Sequence, residues 1–227
     1  MTGHLHPLTI ITNRVIEYFQ RLGFVVELGD EVETVANNFD MLNFPPDHPA
    51  RDAHDTFYLT DGRLLRTHTS VLQVPLMTRY RPPVRILMPG RVYRDEATDS
   101  THQHTFYQID AFVIEKEATL ASLIGTLEGW MEDLLAKKLE FRFRPSYFPF
   151  VEPGLELDIK GPNGRWLEVL GAGMIHPKVL ENMGLDAAED QGWAFGCGLE
   201  RLLMLVTDIK DIRQLMTNDY RLLGQFS

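Results

Sequence analysis

Apolar residues recur at helical spacing in two segments of the chain. The first lies between Pro7, which suits a helix start, and Gly23, which suits a helix end, and its stripe is Leu8, Ile11, Val15, Phe19 and Leu22. The stripe of the second is Leu120, Ile124, Leu127, Met131 and Leu134. This spacing predicts helices over 7–22 and 118–138. The apolar run 199–206 predicts a further, buried helix.

Shorter apolar runs bounded by turn residues fill most of the chain between these helices. They predict strands at 24–28, 84–88, 91–95, 105–115, 141–144, 155–160 and 165–170. The longest irregular stretch, 43–55, is rich in turn-forming residues. Closely spaced strands without regular alternation of strand and helix predict an α+β fold with an antiparallel sheet. Because the sequence contains no repeat or flexible linker, we expect one domain over residues 1–227.

Composition and charge narrow the class of protein. The 227 residues include no apolar run near the roughly 18 that span a membrane, and the N-terminus lacks the layout of a signal peptide. We therefore expect a cytoplasmic protein that does not bind membranes. Cys197 is the only cysteine, which excludes an intrachain disulfide and a cysteine-rich zinc site. The net charge of −10 predicts weak independent binding to a large RNA, because such binding depends on neutralising phosphates.

The common glycine-rich nucleotide motifs are missing from the sequence. There is no G-x-x-x-x-G-K-[ST] loop, and Gly171-Ala172-Gly173 lacks the third glycine of a dinucleotide fingerprint. These glycines indicate a tight turn or a close backbone approach to another group. The pairs His4/His6 and His102/His104 have a spacing that would suit metal ligands on a strand. Polar loop or substrate-contacting histidines are the favoured interpretation of these pairs. Because the glycine-rich motifs are missing, any ATP would be bound by side chains displayed on a sheet.

The strand predicted over 105–115 has two chemically different faces. Because side chains alternate along a strand, the odd positions form a core-facing row of Tyr107, Ile109, Ala111 and Val113. The other face carries a ring, an amide and a carboxylate, from Phe106, Gln108 and Asp110. Such a face can bind a small zwitterion or a nucleotide base, and an ordinary solvated face has the same composition.

Two arginines are candidate phosphate ligands. Arg94 precedes Glu96 by two positions, so both side chains are expected on one face of an extended strand. Arginine can hold a phosphate through two hydrogen bonds, and a nearby carboxylate can orient it. Arg201 lies in the apolar segment 199–206, where an unpaired charge is costly, so we expect a hydrophobic neighbourhood and an anionic partner. Each pattern taken alone also occurs in ordinary surface ion pairs.

Taken together, these segments resemble a known family. An arginine on a strand, a loop, a return strand and a Gly-x-Gly-x-Glu-Arg helix are similar to motifs two and three of the class II aminoacyl-tRNA synthetases. The first helix and strand occupy the place of motif one. The closer resemblance is to bacterial phenylalanyl-tRNA synthetase α subunits, and it extends from about Pro7 to Phe226. It is carried by the stretches HPAR (48–51), DTF (55–57), LLRTHTS (64–70), PGRVYR (89–94), RFRPSYFPF (142–150) and WLEVLG (166–171).

The resemblance implies an enzyme that activates an amino acid with ATP and Mg²⁺. The carboxylate of phenylalanine, or of a close analogue, would attack the α-phosphorus of ATP to give an aminoacyl-adenylate and pyrophosphate. Since a carboxylate is already a nucleophile, catalysis would consist of alignment and charge neutralisation by Arg94 and Arg201. By the same resemblance, Phe106 would stack on adenine and Glu152 would associate with magnesium. The implied ATP-binding residues are Arg94, Glu96, His102, Phe106, Glu168 and Arg201.

The resemblance also implies a pocket shaped for phenylalanine. Phe148 and Phe150 match two rings that pack edge-on against the substrate ring, each adding roughly 0.5–1.5 kcal/mol beyond area burial. Ala194 occupies the position that sets the depth of the pocket. The other implied amino-acid contacts are His68, Ser70, Gln73, Gln108, Asp110 and Gly171.

The sequence departs from the family pattern at three places. Family α subunits generally begin with a long helical arm that helps to bind tRNA, whereas this sequence starts almost directly at the catalytic domain. Asp110 stands where a glutamate near the substrate ammonium is usual, and Trp193 replaces a phenylalanine beside Ala194. By resemblance, the partners are a β subunit and tRNA(Phe), with an oligomer formed through the first helix.

Three hypotheses remain open at this point. The chain is the catalytic core of a phenylalanyl-tRNA synthetase, or a stand-alone paralogue that passes an activated amino acid to another acceptor such as a carrier protein. The third hypothesis is a paralogue without catalysis that only senses an amino acid. The presence of Arg94, Glu96, Glu152 and Arg201 with both pocket phenylalanines argues against the third.

Overall fold

The computed structural model describes residues 3–100, 102–161, 164–207 and 209–226. The strands in these ranges are β1 (Val25–Val26), β2 (Val32–Glu33), β3 (Leu64–Leu65), β4 (Val84–Tyr93), β5 (Thr105–Ile114), β6 (Phe141–Pro145), β7 (Val151–Lys160), β8 (Trp166–Ile175) and β9 (Gly192–Gly198). The α-helices are α1 (Pro7–Arg21), α2 (Val35–Asn38), α3 (Gln73–Leu76), α4 (Leu120–Leu135), α5 (Pro177–Asn182), α6 (Leu199–Val206) and α7 (Tyr220–Leu223). Short 3-10 helices lie at Asp40–Leu42, Pro49–Arg51, Thr69–Leu72 and Ile212–Met216.

The described strands form one large sheet and one small one. The large sheet has seven strands in the order β1-β4-β5-β9-β8-β7-β6, and β2 pairs with β3 in the small one. Apart from β1, which runs parallel to β4, the neighbouring strands of the large sheet are antiparallel. The predicted α+β class with an antiparallel sheet is therefore confirmed.

Residues 84–93 form one strand, although the sequence predicted two strands separated at Pro89 and Gly90. Strand β4 pairs with β1 at Ile86 and Leu87, so this side of β4 has no neighbouring strand beyond Leu87 in the described part of the chain. A proline is tolerated at such an edge because no ladder hydrogen bond requires its N–H. Arg94 consequently follows the end of β4 and does not lie within a strand over 91–95.

Strand β9 lies near the centre of the sheet, between β5 and β8, and the sequence did not predict it. The glycines of β9 prevent its prediction from the sequence, because glycine is unfavourable in strands and leaves no alternating hydrophobic pattern. The same glycines allow neighbouring groups to approach closely. A Cβ at Gly192 would lie 2.4 Å from the Val113 carbonyl oxygen, and one at Gly196 would lie 2.6 Å from Asp110 Oδ1.

The helices α1, α4 and α6 cover one face of the large sheet. The His6 ring accepts a hydrogen bond from the Leu8 N–H at the start of α1, and Gly23 follows its end with a φ of +83°, which suits glycine. Helix α4 is shorter than the predicted 118–138, because it begins after the capping box residue Thr119 and ends before Ala136, whose φ is +50°. Among the described residues, no helix combines the length and the apolar character needed to cross a membrane.

An aromatic cluster anchors these helices to the sheet. The fully buried Phe19 of α1 lies with its ring centre 5.1 Å from Trp130 of α4 and 5.3 Å from Phe195 of β9. Burying one such ring stabilises the fold by about 1.5–3 kcal/mol. The odd residues of β5 join this cluster, as predicted. The even side of β5 faces the opposite surface of the sheet, where a second apolar cluster surrounds the candidate site.

Candidate active site

Two adjoining cavities open on the face of the sheet opposite α1 and α4. The aromatic cavity, of about 480 Å³, is lined largely by rings and small residues, which include Phe44, His48, His68, Ser70, Phe148, Phe150 and Ala194. The charged cavity, of about 350 Å³, is lined by residues that include His102, Phe106, Glu168, Glu200 and Arg201. Both are lined by Arg94, Glu96, Gln108, Gly171 and Gly196. A ligand can therefore extend from one cavity into the other.

Most residues that the sequence singled out line these cavities. The structure brings together thirteen of the sixteen: His68, Ser70, Arg94, Glu96, His102, Phe106, Gln108, Phe148, Phe150, Glu168, Gly171, Ala194 and Arg201. Gln73, Asp110 and Glu152 line neither cavity. Gln73 is buried, and its side-chain nitrogen has no hydrogen-bond partner among the described residues.

Arg94 lies at the border between the two cavities. Its Nε donates a hydrogen bond to the Thr67 carbonyl oxygen at 3.2 Å, and its guanidinium carbon lies 5.0 Å from the centre of the Phe106 ring. A nitrogen of the guanidinium lies 3.9 Å from a carboxylate oxygen of Glu96. Ring, carbonyl and carboxylate together hold the cation where both cavities meet.

Arg201 does not lie in the hydrophobic neighbourhood that the sequence predicted. Its side chain is 48% exposed and lies 3.2 Å from a carboxylate oxygen of Glu168. The expected anionic partner is thus present, but at the surface of the charged cavity. The prediction of burial was wrong because positions 199, 200, 202 and 203 are the buried ones in α6, and position 201 lies on another side of the helix.

The buried charged residue of α6 is Glu200, which was not among the site residues predicted from the sequence. It is 4% exposed, and its two carboxylate oxygens accept a hydrogen bond from the Tyr107 N–H at 2.9 and 3.0 Å. Burial raises the pKa of Glu200 to about 7, against an ordinary value of 4.5, while the backbone hydrogen bonds act in the opposite direction. The residue fixes the start of β5 beside Phe106.

His6, His102 and His104 of the two histidine pairs each make a separate contact. His6 Nε2 lies 2.8 Å from the Leu215 carbonyl oxygen in addition to capping α1. The His102 ring, which lines the charged cavity, lies 3.1 Å from the Asp99 carboxylate, and His104 Nδ1 lies 3.9 Å from that of Asp95. These contacts agree with the interpretation of the pairs as polar loop or substrate-contacting histidines.

Aromatic rings form the walls of the first cavity. The ring centres of Phe148 and Phe150 are 6.0 Å apart with an interplanar angle of 28°. Phe44, which was not among the predicted site residues, has its ring centre 5.7 Å from that of Phe150 and is stacked at 5.9 Å on His68. It is the lone aromatic residue of the turn-rich stretch 43–55, a signal that could have identified it.

The Gly171-Ala172-Gly173 segment is part of strand β8 and not a tight turn. A Cβ at Gly171 would lie 2.8 Å from Phe148 Cζ. The alternative expectation, a close approach of the backbone to another group, is therefore confirmed, and the group is an aromatic wall of the cavity. Ala194 on the adjacent strand β9 lines the same cavity and is 3% exposed.

A neutral histidine lines the polar end of the aromatic cavity, and a buried carboxyl group lies behind this wall. Burial, together with the nearby charge of Arg94, lowers the pKa of His68 to about 3, so its ring is uncharged at pH 7. Asp110 is 0% exposed and accepts hydrogen bonds from Ser70 Oγ at 2.6 Å and Gln108 Nε2 at 2.7 Å. Burial raises the pKa of Asp110, and these hydrogen bonds oppose that effect.

Glu152, for which a magnesium contact was expected, lines neither cavity. Its side chain is 75% exposed and lies 3.5 Å from His176 Nε2. The described residues contain no group of three or more His, Cys, Asp or Glu that could hold a metal. However, Mg²⁺ often takes only one or two carboxylates together with phosphate oxygens of a nucleotide. Glu96 and Glu168, which face the charged cavity, fit that kind of site.

Known proteins resemble this chain in sequence and in fold. The family model for the tRNA synthetases class II core domain (F) matches residues 1–226. The phenylalanine–tRNA ligase alpha subunit of Histophilus somni is 50% identical over 224 residues, which are 99% of this chain and 68% of that protein. That of Xanthomonas oryzae pv. oryzae is 49% identical over 229 residues, covering 99% of this chain and 69% of that protein.

The fold has a counterpart among solved structures. The pyrrolysyl-tRNA synthetase from Desulfitobacterium hafniense matches 93% of this chain and 74% of its own with a TM-score of 0.72, at 18% identity. This likeness concerns the fold alone. The sequence comparisons show the family as well, because the family model matches nearly the whole sequence and the relatives are about 50% identical. The chain belongs to the class II tRNA synthetase core family and, within it, to the family of the phenylalanine–tRNA ligase alpha subunits.

Proposed function

We propose that the chain activates phenylalanine, or a close analogue, by joining its carboxylate to the α-phosphorus of ATP. The products are an aminoacyl-adenylate and pyrophosphate. The observation that carries this proposal is the junction of an aromatic cavity with a charged cavity at Arg94 and Gln108. An aminoacyl-adenylate has the same division, with an apolar side chain at one end and a nucleotide at the other.

The aromatic cavity supports phenylalanine as the substrate. A phenyl ring would lie against Phe148 and Phe150, whose rings form two of the cavity walls. Ala194 leaves space at the floor, and Gly171 lets the Phe148 ring pack directly on the sheet. Ring contacts of this kind contribute about 0.5–1.5 kcal/mol each beyond the burial of apolar area.

The chemical step needs alignment more than proton transfer. At neutral pH the amino-acid carboxylate is ionised and is itself the nucleophile. Arg94, at the border of the cavities, would bind the α-phosphate and neutralise the charge that develops on its oxygens during attack. Neutral His68 would add no positive charge to compete with the substrate ammonium. Holding both reactants in the two joined cavities replaces a bimolecular encounter with an oriented one.

The charged cavity supports binding of ATP. Phe106 would stack on the adenine ring, and Arg201 would leave Glu168 to bind the triphosphate. His102, on the wall of the same cavity, would help to seat the nucleotide. A Mg²⁺ ion held by the triphosphate with Glu96 or Glu168 would supply further charge neutralisation.

The acceptor and the partner subunits are part of the same proposal. We infer that the activated amino acid passes to tRNA(Phe) in a complex with a β subunit, and that α1 contributes to an oligomer. The net charge of −10 supports a need for a partner that binds the RNA. A cytoplasmic location follows from this role.

Exchange of radiolabelled pyrophosphate into ATP tests the activation step. It should be measured over a panel of amino acids, and we expect exchange with phenylalanine or an aromatic analogue. Absence of exchange with every amino acid would refute the proposal. Charging of tRNA(Phe), with and without an added β subunit, then tests the acceptor. Exchange without charging in the presence of the β subunit would instead indicate a different acceptor.

A further inference from the structure

Asp110 lies behind the wall of the aromatic cavity. Its carboxylate is fully buried, and both oxygens already accept a hydrogen bond, one from Ser70 Oγ at 2.6 Å and one from Gln108 Nε2 at 2.7 Å. On the β9 side, the backbone of Gly196 closes the space, since even a Cβ there would lie 2.6 Å from Asp110 Oδ1. A substrate group in the cavity therefore meets Ser70 and Gln108 before it meets Asp110.

These two hydrogen bonds determine which atoms Ser70 and Gln108 offer to the cavity. Ser70 uses its one hydroxyl proton on Asp110, so its oxygen keeps free lone pairs. Gln108 directs its NH₂ group to Asp110, so its carbonyl oxygen is left over, and this Oε1 has no hydrogen-bond partner among the described residues. Both residues line the cavity. The carboxylate thus converts two side chains that can donate or accept into acceptors.

We propose that Asp110 is a positioning residue: the substrate ammonium is bound by Ser70 Oγ and Gln108 Oε1, which Asp110 orients, and not by the Asp110 carboxylate itself. This inference rests on the proposed function, because it concerns the amino group of the same substrate. An ammonium group is a donor through all its hydrogens, so it matches a site made of acceptors. The Gln108 side chain also lines the charged cavity, so this contact places the carboxylate of the substrate toward Arg94.

A double-mutant cycle between Ser70 and Asp110 separates indirect from direct action. Ser70→Ala should raise the KM for phenylalanine roughly 10- to 100-fold, the range for losing a hydrogen bond to a charged group. Asp110→Asn should raise it at least as much, because Asp110 orients both Ser70 and Gln108, with the KM for ATP nearly unchanged. Asp110→Asn thus already removes the effect of Ser70 on the substrate, so the double variant should resemble Asp110→Asn. Effects that multiply in the double variant would overturn the proposal.

Ser146→Ala is a matched control for this cycle. Ser146 Oγ also donates to a carboxylate, that of Glu156 at 2.8 Å, but Ser146 lines neither cavity. Its loss should leave both KM values unchanged. A rise in the KM for phenylalanine like that of Ser70→Ala would show a general structural effect and count against the proposal.

A crystal structure of the wild-type chain with phenylalaninol decides the question even if the Asp110 variants fail to fold. The amino nitrogen should lie about 3 Å from Ser70 Oγ and Gln108 Oε1, with both Asp110 oxygens beyond hydrogen-bond distance. A nitrogen within about 3 Å of either Asp110 oxygen would overturn the proposal. The failures of the two proposals are distinguishable. A wild type without pyrophosphate exchange refutes amino-acid activation. A wild type that is active but has the amino nitrogen within about 3 Å of an Asp110 oxygen refutes only the role of Asp110.

Discussion

The guanidinium carbon of Arg94 lies 5.0 Å from the centre of the Phe106 ring. The proposed α-phosphate ligand and the proposed adenine platform are therefore in contact in the free protein. A cation over an aromatic face gains roughly 0.5–1 kcal/mol at a partly exposed site. Binding of ATP at this place has to preserve or replace that contact, so the ring affects both the affinity for the base and the position of the arginine.

Replacing Phe106 should weaken the binding of ATP selectively. Stacking of a base on an aromatic ring contributes about 1–3 kcal/mol, so Phe106→Leu is expected to raise the KM for ATP roughly 10-fold in pyrophosphate exchange. A smaller fall in kcat should accompany it, because Arg94 loses its platform. The KM for phenylalanine should change little.

The matched control for Phe106 is Phe141→Leu on β6. This residue packs against the opposite apolar cluster and lines neither cavity. It should leave the KM for ATP unaltered. If Phe106→Leu raised the KM for ATP and the KM for phenylalanine equally, the result would argue against Phe106 as an adenine platform.

Adding one methyl group at Gly171 should impair the aromatic cavity. The new Cβ would lie 2.8 Å from Phe148 Cζ, so Gly171→Ala has to displace that ring. We expect the KM for phenylalanine to rise 10-fold or more, with a loss of about 1–3 kcal/mol in the free energy of unfolding from overpacking. Kinetics of pyrophosphate exchange and urea denaturation measure the two effects.

Gly125→Ala provides the same chemical change at a neutral position. Gly125 lies on the exposed side of α4, with nothing within 4 Å of its added Cβ. This variant should keep its activity and gain about 0.5–1 kcal/mol in stability, because alanine is favoured over glycine in helices. If Gly171→Ala behaves in the same way, the cavity does not bind the substrate ring.

Local pattern predicted the elements that pack one face against the core. Strand β5 shows this well, since Ile109, Ala111 and Val113 join the core and Phe106 and Gln108 line the cavities. Local pattern did not predict β9, because its glycines are required by close contacts with residues that are distant in sequence. Gly196 faces Asp110 across two paired strands, a relationship with no local signal.

The candidate site was predictable where a motif fixed the identity of residues, but their environments were not. Arg201 was expected among apolar residues and is half-exposed, while its neighbour Glu200 is the buried one. One step of about 100° around a helix separates these outcomes. Asp110 was expected at the ammonium group, yet whether a carboxylate lines a cavity or lies behind it depends on contacts with Ser70, which is 40 residues away.

Removing Arg201 should reduce activity without reducing stability. Exposed ion pairs contribute about 0–1 kcal/mol, and Arg201 pairs with Glu168 at 3.2 Å while both side chains are about half-exposed. Arg201→Ala should therefore change the free energy of unfolding by less than about 1 kcal/mol. The kcat/KM for ATP should fall about 100-fold or more, because the triphosphate loses a cationic ligand.

A similar ion pair far from the cavities is the control for Arg201. Arg21 lies 3.2 Å from Asp133, and both side chains are exposed. Arg21→Ala should match Arg201→Ala in urea denaturation and keep full exchange activity. Comparable activity of the two variants would remove Arg201 from the proposed ATP site.

Glu200 should make the stability of the protein depend on pH between about 4.5 and 7. Burial raises its pKa in the folded protein to about 7 from an ordinary 4.5. Within this window the folded state retains a proton that the unfolded state releases, so stability falls as the pH rises. A shift of this size corresponds to about 3 kcal/mol. Below about pH 4.5 the carboxyl is protonated in both states, and above about pH 7 the full loss is present.

Glu200→Gln isolates this contribution because its side chain is neutral at every pH and its Oε1 can still accept the Tyr107 N–H. Urea denaturation of both proteins from pH 4 to 8 should show the variant gaining stability relative to the wild type as the pH rises, by about 3 kcal/mol over the series. The raised pKa of Asp110 acts in both proteins and largely cancels in the difference. Parallel curves would mean that Glu200 has the same pKa in the folded and unfolded states, with its backbone hydrogen bonds offsetting the effect of burial, and would contradict the prediction.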